Sequence, residues 1–135
     1  MCVDKIKEEH NLTNYEIKAE KHSAFRPMVY ICSPFSGDVD YNTVQARKYS
    51  RFAYEQGTIP ITPHLLYPQF MADENPIERA DAMHFNYVLL GKCSELWVFG
   101  DVISKGMVHE IGIAKKRKQT IRWFNDKCEE VSKNA

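Results

Sequence analysis

From residue 28 onward, large apolar residues gather in short runs, separated by stretches where they recur at helical spacing. Met28-Val29-Tyr30-Ile31-Cys32 is one such run, bounded by Pro27 and by the turn-rich Ser33-Pro34-Phe35-Ser36-Gly37-Asp38. A run this short, apolar on both parities, predicts a strand buried on both faces. Over 41–56, Tyr41, Tyr49, Phe52 and Ala53 share one helical face with Ala46 at its edge, while Arg47 and Arg51 fall on the other side. Gly57 is placed to end that helix. Ile59-Pro60-Ile61 reads as a second strand, whose proline points to an edge or to a strand start.

The loop-like segment 62–75 carries large groups, among them Leu65, Leu66, Tyr67 and Phe70, and suits the wall of a pocket. Residues 76–92 predict a second helix, with Pro76 in its first turn and Ile77, Ala80, Met83, Val88 and Leu89 directed inward. Glu95–Phe99 predicts a third strand ended by Gly100, 105–118 a third helix, and Thr120–Phe124 a further strand. Residues 1–27 alternate charges and hold few large apolar groups before Phe25, which marks an N-terminal extension, either a short helix or a mobile arm. Residues 125–135 read as a polar C-terminal tail.

Strand–helix alternation over 28–124 predicts a single α/β domain: an open parallel sheet of four to five strands, Rossmann-like, with helices on both faces. Right-handed crossovers put the strand C-termini on one edge, where open sheets bind ligands. The loops 33–40, 62–75 and 100–106 therefore frame the expected site.

Composition narrows the partners. Lys+Arg and Asp+Glu both number 18, so the chain lacks the positive field of a protein that grips nucleic acid through phosphates, and no nucleic-acid partner is expected. No stretch of about 18 apolar residues occurs and the N-terminus has no apolar secretory core, so neither a membrane partner nor a signal peptide is expected. Cys2, Cys32, Cys93 and Cys128 form no CxxC pair, which favours reduced thiols and a cytoplasmic location. His10, His22, His84 and His109 have no ligand spacing with a cysteine pair, so no metal is expected. GxGxxG and GxxxxGK[ST] loops are missing, and no cofactor is expected. The basic run Lys115-Lys116-Arg117-Lys118 complements a helix C-terminus as a solvated face.

The chemistry-bearing stretch runs from Leu96 to Gly112, a strand feeding a loop and then a helix. Ser104 stands at an N-cap position, where its hydroxyl can bind first-turn amides or share them with an anion. Gly106 removes a side chain and lets a ligand approach the backbone. Glu110 falls beside the apolar stripe Met107, Val108, Ile111 and Ala114, with no cation one turn away to hold it at the surface. Tyr30 can reach the same pocket or serve as a core tyrosine. His64 can donate to a substrate oxygen or brace its loop.

Val29-Tyr30-Ile31-Cys32-Ser33-Pro34-Phe35, then His64, then Ser104-x-Gly106-x-x-x-Glu110-Ile111-Gly112, resembles the nucleoside 2-deoxyribosyltransferase superfamily. Its Ser-to-Glu spacing is also similar to that of the 2′-deoxynucleoside 5′-phosphate N-hydrolases. The resemblance implies a flavodoxin-like sheet and cleavage of an N-glycosidic bond. It implies Glu110 as nucleophile, Tyr30 as its orienting partner and Ser104 in the phosphate site. Ser33, Phe35 and His64 would line the sugar and base pocket, and a nucleoside or nucleotide would be the small-molecule partner. It further implies a homodimer or higher homo-oligomer. One departure stands out: where the family carries an aspartate to protonate the leaving base, this chain has Asn86, which can bond a base but cannot protonate it. Asp101 is then an alternative acid, and a non-catalytic nucleotide sensor an alternative function.

Overall fold

The structure, a computed structural model, describes residues 24–132. The expected N-terminal extension therefore lies almost wholly outside the described residues. Its last part is tied to the domain: the Pro27 carbonyl accepts from the Ile59 amide at 2.8 Å, and the Arg26 guanidinium lies over the Tyr54 ring at 5.5 Å.

The elements run β1 (Met28–Cys32), α1 (Val39–Glu55), β2 (Ile59–Ile61), two 3₁₀ turns (Pro63–Leu65 and Tyr67–Gln69), α2 (Pro76–Lys92), β3 (Glu95–Phe99), α3 (Lys105–Lys116), β4 (Thr120–Phe124) and β5 (Glu130–Val131). The sheet order is β2-β1-β3-β4-β5, with every pairing parallel except β4 with β5. This is the flavodoxin-type order, whose direction reverses between β1 and β3. Pro60 sits in the edge strand β2, where its missing N–H costs no ladder bond.

The two parities of β1 feed two cores. Val29 and Ile31 pack with Tyr49 and Ala53 of α1 and with Trp97, Phe99 and Phe124. Tyr30 and Cys32 pack on the other face with Leu90 of α2, Leu96 and Val98 of β3, and Met107, Ile111 and Ala114 of α3. Helices thus cover both faces, and the second cluster is the one that carries the site. Asp38 opens α1 by accepting from the Tyr41 amide at 3.1 Å. Gly57, at φ 86°, turns the chain out of α1 in a conformation that favours glycine.

Four sequence expectations need correction. Tyr41 is exposed; the buried face of α1 is Ala46, Tyr49 and Ala53. On α2, Ile77, Ala80, Met83 and Val88 lie outside the core, and burial falls on Leu90, because only the last turns of this helix reach the sheet. Val108 of α3 is likewise exposed. The residues after Phe124 are no simple tail: they turn back to form β5, where Arg122 makes a two-pronged pair with Glu130 at 2.7 and 2.9 Å. Among the described residues no helix is long and apolar enough to cross a membrane, and Cys32, Cys93 and Cys128 are free thiols.

Candidate functional site

β1 and β3 end side by side, and each hands its chain to a loop at the carboxyl edge of the sheet. After β3, Gly100 (φ 95°) turns the backbone into the loop that leads to α3. Ser104 caps that helix, its Oγ accepting from the Met107 amide at 3.4 Å. The capped first turn fixes the helix so that Glu110, in the second turn, lies on the sheet-facing side with Met107, Ile111 and Ala114.

Glu110 is 5 % exposed, an unusual position for a carboxylate. Below it stand Tyr30 and Cys32, alternate residues on one face of β1. The Cys32 Sγ lies 3.9 Å from Glu110 Oε1. Burial pushes the Glu110 pKa up to about 7, and the Tyr30 and Cys32 donors pull against that rise. Both donors stay protonated, because burial and the Glu110 charge push the phenol and the thiol well above their ordinary values. Among the described residues, neither Tyr30 Oη nor Glu110 Oε2 finds a partner in a hydrogen bond of regular geometry.

Glu110 borders a cavity of about 400 Å³. Its walls come from the end of β1 (Ser33, Phe35, Ser36), the loop after β2 (Pro63, His64, Tyr67, Met71, Asp73), α2 (Glu78, Arg79, Met83, Asn86, Tyr87) and the start of α3 (Ser104, Lys105, Gly106, Met107, His109). Three of these residues present buried polar atoms without partners: Ser33 Oγ, Asn86 Oδ1 and Glu110 Oε2. Unpaired buried polar groups are costly, and all three residues border the same cavity, so a polar group entering it has donors and acceptors close by. A Cβ built on Gly106 meets open space, so the backbone of the first turn of α3 is open to close approach.

His64 both braces and lines. Its Nε2 lies 3.0 Å from the Ser33 carbonyl and its ring stacks on Phe35 at 5.1 Å between centroids. Burial lowers its pKa, which keeps the imidazole neutral. The structure thus brings Ser33, Phe35, His64, Asn86, Ser104, Gly106 and Glu110 to one cavity, with Tyr30 behind Glu110 rather than on the wall. Asp101 is exposed and does not border the cavity, and Asp81 is also exposed outside it. The loop geometry turns Asp101 toward solvent, so it is not a site acid in this conformation.

Sequence reasoning passed over Cys32, Arg79, Tyr87, Lys105 and His109, while Tyr67 borders the cavity from the loop it marks as a wall. Cys32 was within reach, since it shares the parity of Tyr30. The others lie on α2 and α3 surfaces whose orientation depends on tertiary packing. Among the described residues no cluster of three His, Cys, Asp or Glu side chains has the geometry to hold a metal ion.

The fold has solved counterparts. A 2-deoxyribosyltransferase from the psychrotolerant bacterium Bacillus psychrosaccharolyticus superposes with a TM-score of 0.62 at 14 % identity, over 78 % of this chain and 77 % of that one. A 2-deoxyribosyltransferase from Leishmania mexicana gives 0.54 at 15 % identity, over 73 % of this chain and 64 % of that one, so the match spans just under two thirds of the second enzyme. At these identities the likeness is one of fold. No curated protein matches in sequence. Residues 27–124 match one family profile, and they include every residue bordering the cavity: the chain belongs to the family described as Domain of unknown function (DUF7768).

Proposed function

We propose that this protein cleaves the N-glycosidic bond of a nucleoside or nucleoside 5′-monophosphate, to water or to an acceptor base, with Glu110 as nucleophile. The observation that carries this reading is a buried carboxylate that borders a cavity and, among the described residues, has no cationic partner and one oxygen uncommitted. The likeness of fold to two 2-deoxyribosyltransferases supports the substrate class.

In the first step an oxygen of Glu110 bonds to C1′ of the pentose as the C1′–N bond breaks and its electron pair leaves with the base. A carboxylate suits this step because it stabilises positive charge developing at C1′. The leaving base takes a proton from solvent or from an acid at the cavity. Water then attacks C1′, giving up a proton, and frees Glu110 and the sugar; a nitrogen of a second base in the same role gives transfer. Ser104 Oγ and the first-turn amides of α3, with Lys105 beside them, would receive a 5′-phosphate. Phe35 and His64 offer the base a flat stacking surface.

The test is a panel of nucleosides and nucleoside monophosphates, followed by free-base analysis, run on wild type and Glu110→Gln. Base release by wild type and its loss in the variant are expected. Equal release by both would refute the nucleophile. One observation favours a second reading: Asn86 Oδ1 borders the cavity at the position expected of the acid, and amides do not protonate a leaving base. A nucleotide sensor would show ligand-dependent thermal stabilisation with no turnover.

A further inference from the structure

Cys32 is fully buried at the end of β1, among Leu90, Leu96, Val98 and Met107, where an aliphatic residue would pack as well. Its sulfur is placed 3.9 Å from Oε1 of Glu110, a residue 78 positions away on α3. Building on the nucleophilic role given to Glu110 above, we propose that the Cys32 thiol is a positioning residue: it donates to Oε1 from beneath the site and leaves Oε2 to attack C1′.

The chemistry of the pair supports a donor of this kind. Burial and the neighbouring carboxylate keep the thiol protonated, so an S–H faces Oε1 and no thiolate competes with it. A thiol is a weak donor. A lysine or arginine in its place would fix the carboxylate as firmly but would also drain its nucleophilicity and hold it far below neutrality. A thiol orients the group while leaving it reactive. Tyr30, two residues earlier on the same face, is the other titratable group on β1 that acts on Glu110. Asn86 and Tyr87 on α2 and Lys105 and His109 on α3 border the same cavity, and none of them shifts the carboxyl. The loop residue His64 and the rim carboxyls Asp73 and Glu78 likewise leave it unshifted.

The test begins with a spectroscopic signature of the thiol in wild type, with two near-isosteric variants as its references. The S–H stretching band of Cys32, assigned by its loss in Cys32→Ser, is followed by infrared spectroscopy from about pH 5 to about pH 9. It is expected to shift as Glu110 ionises, and to lose that pH dependence in Glu110→Gln. In parallel, the Glu110 carboxyl is titrated by carbon NMR. Cys32→Ala is expected to raise its midpoint by about one pH unit, with Cys32→Ser returning it toward wild type. The acid limb of kcat/KM for base release should move with it. A thiol band indifferent to pH, or Ala and Ser variants that titrate alike, would overturn the proposal. Full turnover in Glu110→Gln would instead overturn the nucleophile and leave the titration result standing.

Discussion

His64 Nε2 lies 3.0 Å from the backbone oxygen of Ser33 and so ties the loop after β2 to the end of β1. A carbonyl only accepts, so Nε2 carries the proton and Nδ1 keeps its lone pair. Burial lowers the imidazole pKa from its usual 6.5. A group whose pKa is lowered on folding contributes stability that is full above the unfolded value. That contribution is lost as the pH falls from about 6.5 through the folded-state value. His64→Phe keeps the ring stack on Phe35 and removes the donor. It is expected to cost about 1–3 kcal/mol at neutral pH, the penalty of an orphaned buried carbonyl. Urea unfolding over a pH series checks both parts: wild type should weaken below pH 6.5 by more than the variant does.

Glu110 works in the opposite sense. Its pKa rises from 4.5 to about 7 on folding. The stability it contributes is full below 4.5, where it is protonated in both states, and is lost as the pH rises through about 7. At pH 8 the buried charge therefore costs on the order of 3 kcal/mol. Glu110→Gln is expected to be more stable than wild type at pH 8, with the gap closing toward pH 4.5, as thermal melts at matched pH would show. A variant that is equally stable at both pH values would mean the carboxyl is solvated in solution. The same substitution is expected to abolish base release, so stability and activity move in opposite directions at one residue.

Much of this was legible in the chain. The apolar runs at Met28–Cys32, Ile59–Ile61, Glu95–Phe99 and Thr120–Phe124 all became strands with those bounds, because a buried parallel strand needs apolar side chains on both parities. Glu110 stands beside the stripe Met107, Val108, Ile111 and Ala114, and the structure buries it with all of these but the exposed Val108. Asp101 lies in the loop before the third helix, as the alternative-acid reading requires, yet a loop residue's direction depends on backbone turns that spacing does not encode. The apolar face of α2 misled for a related reason. Its apolar residues follow helical spacing, but the sheet covers only its C-terminal end. β5 escaped because two exposed residues carry no periodicity; the strand is held by Arg122 with Glu130 and by Asn125 bonding Glu129.

Ser104 combines a structural role with a proposed one, and two substitutions separate them. Its Oγ caps α3 through the Met107 amide. Ser104→Ala is expected to cost about 1 kcal/mol of stability and to weaken nucleotide binding as well. Ser104→Asp keeps a good cap, so stability should hold. Its added negative charge stands where the 5′-phosphate would bind. Affinity for a nucleoside monophosphate should then fall by tenfold or more, roughly 1.4 kcal/mol, while affinity for the matching nucleoside stays within about twofold. Calorimetric titration with both ligands measures the difference. Equal losses for nucleoside and nucleotide would move the phosphate elsewhere.

Asn86 is where catalysis and sensing part. The residue borders the cavity with Glu110, and its buried Oδ1 lacks a partner among the described residues, so the amide has bonding capacity to spare but brings no proton. Asn86→Asp supplies one. An aspartyl group there would be desolvated and would face a second carboxylate across the cavity, two effects that both raise its pKa and keep it protonated near neutrality. General acid catalysis of base departure is worth about 10²–10⁴-fold where the geometry is right. The variant is therefore expected to release base at least about tenfold faster than wild type near pH 6. The gain should fade as the pH rises and the new acid loses its proton. The substitution should also lower stability at alkaline pH, where two buried charges coexist. A rate that does not change, with Glu110→Gln still inactive, would mean that the leaving base takes its proton from solvent. Turnover appearing only in the variant would identify the natural protein as a binder whose fold retains the nucleophile without the acid.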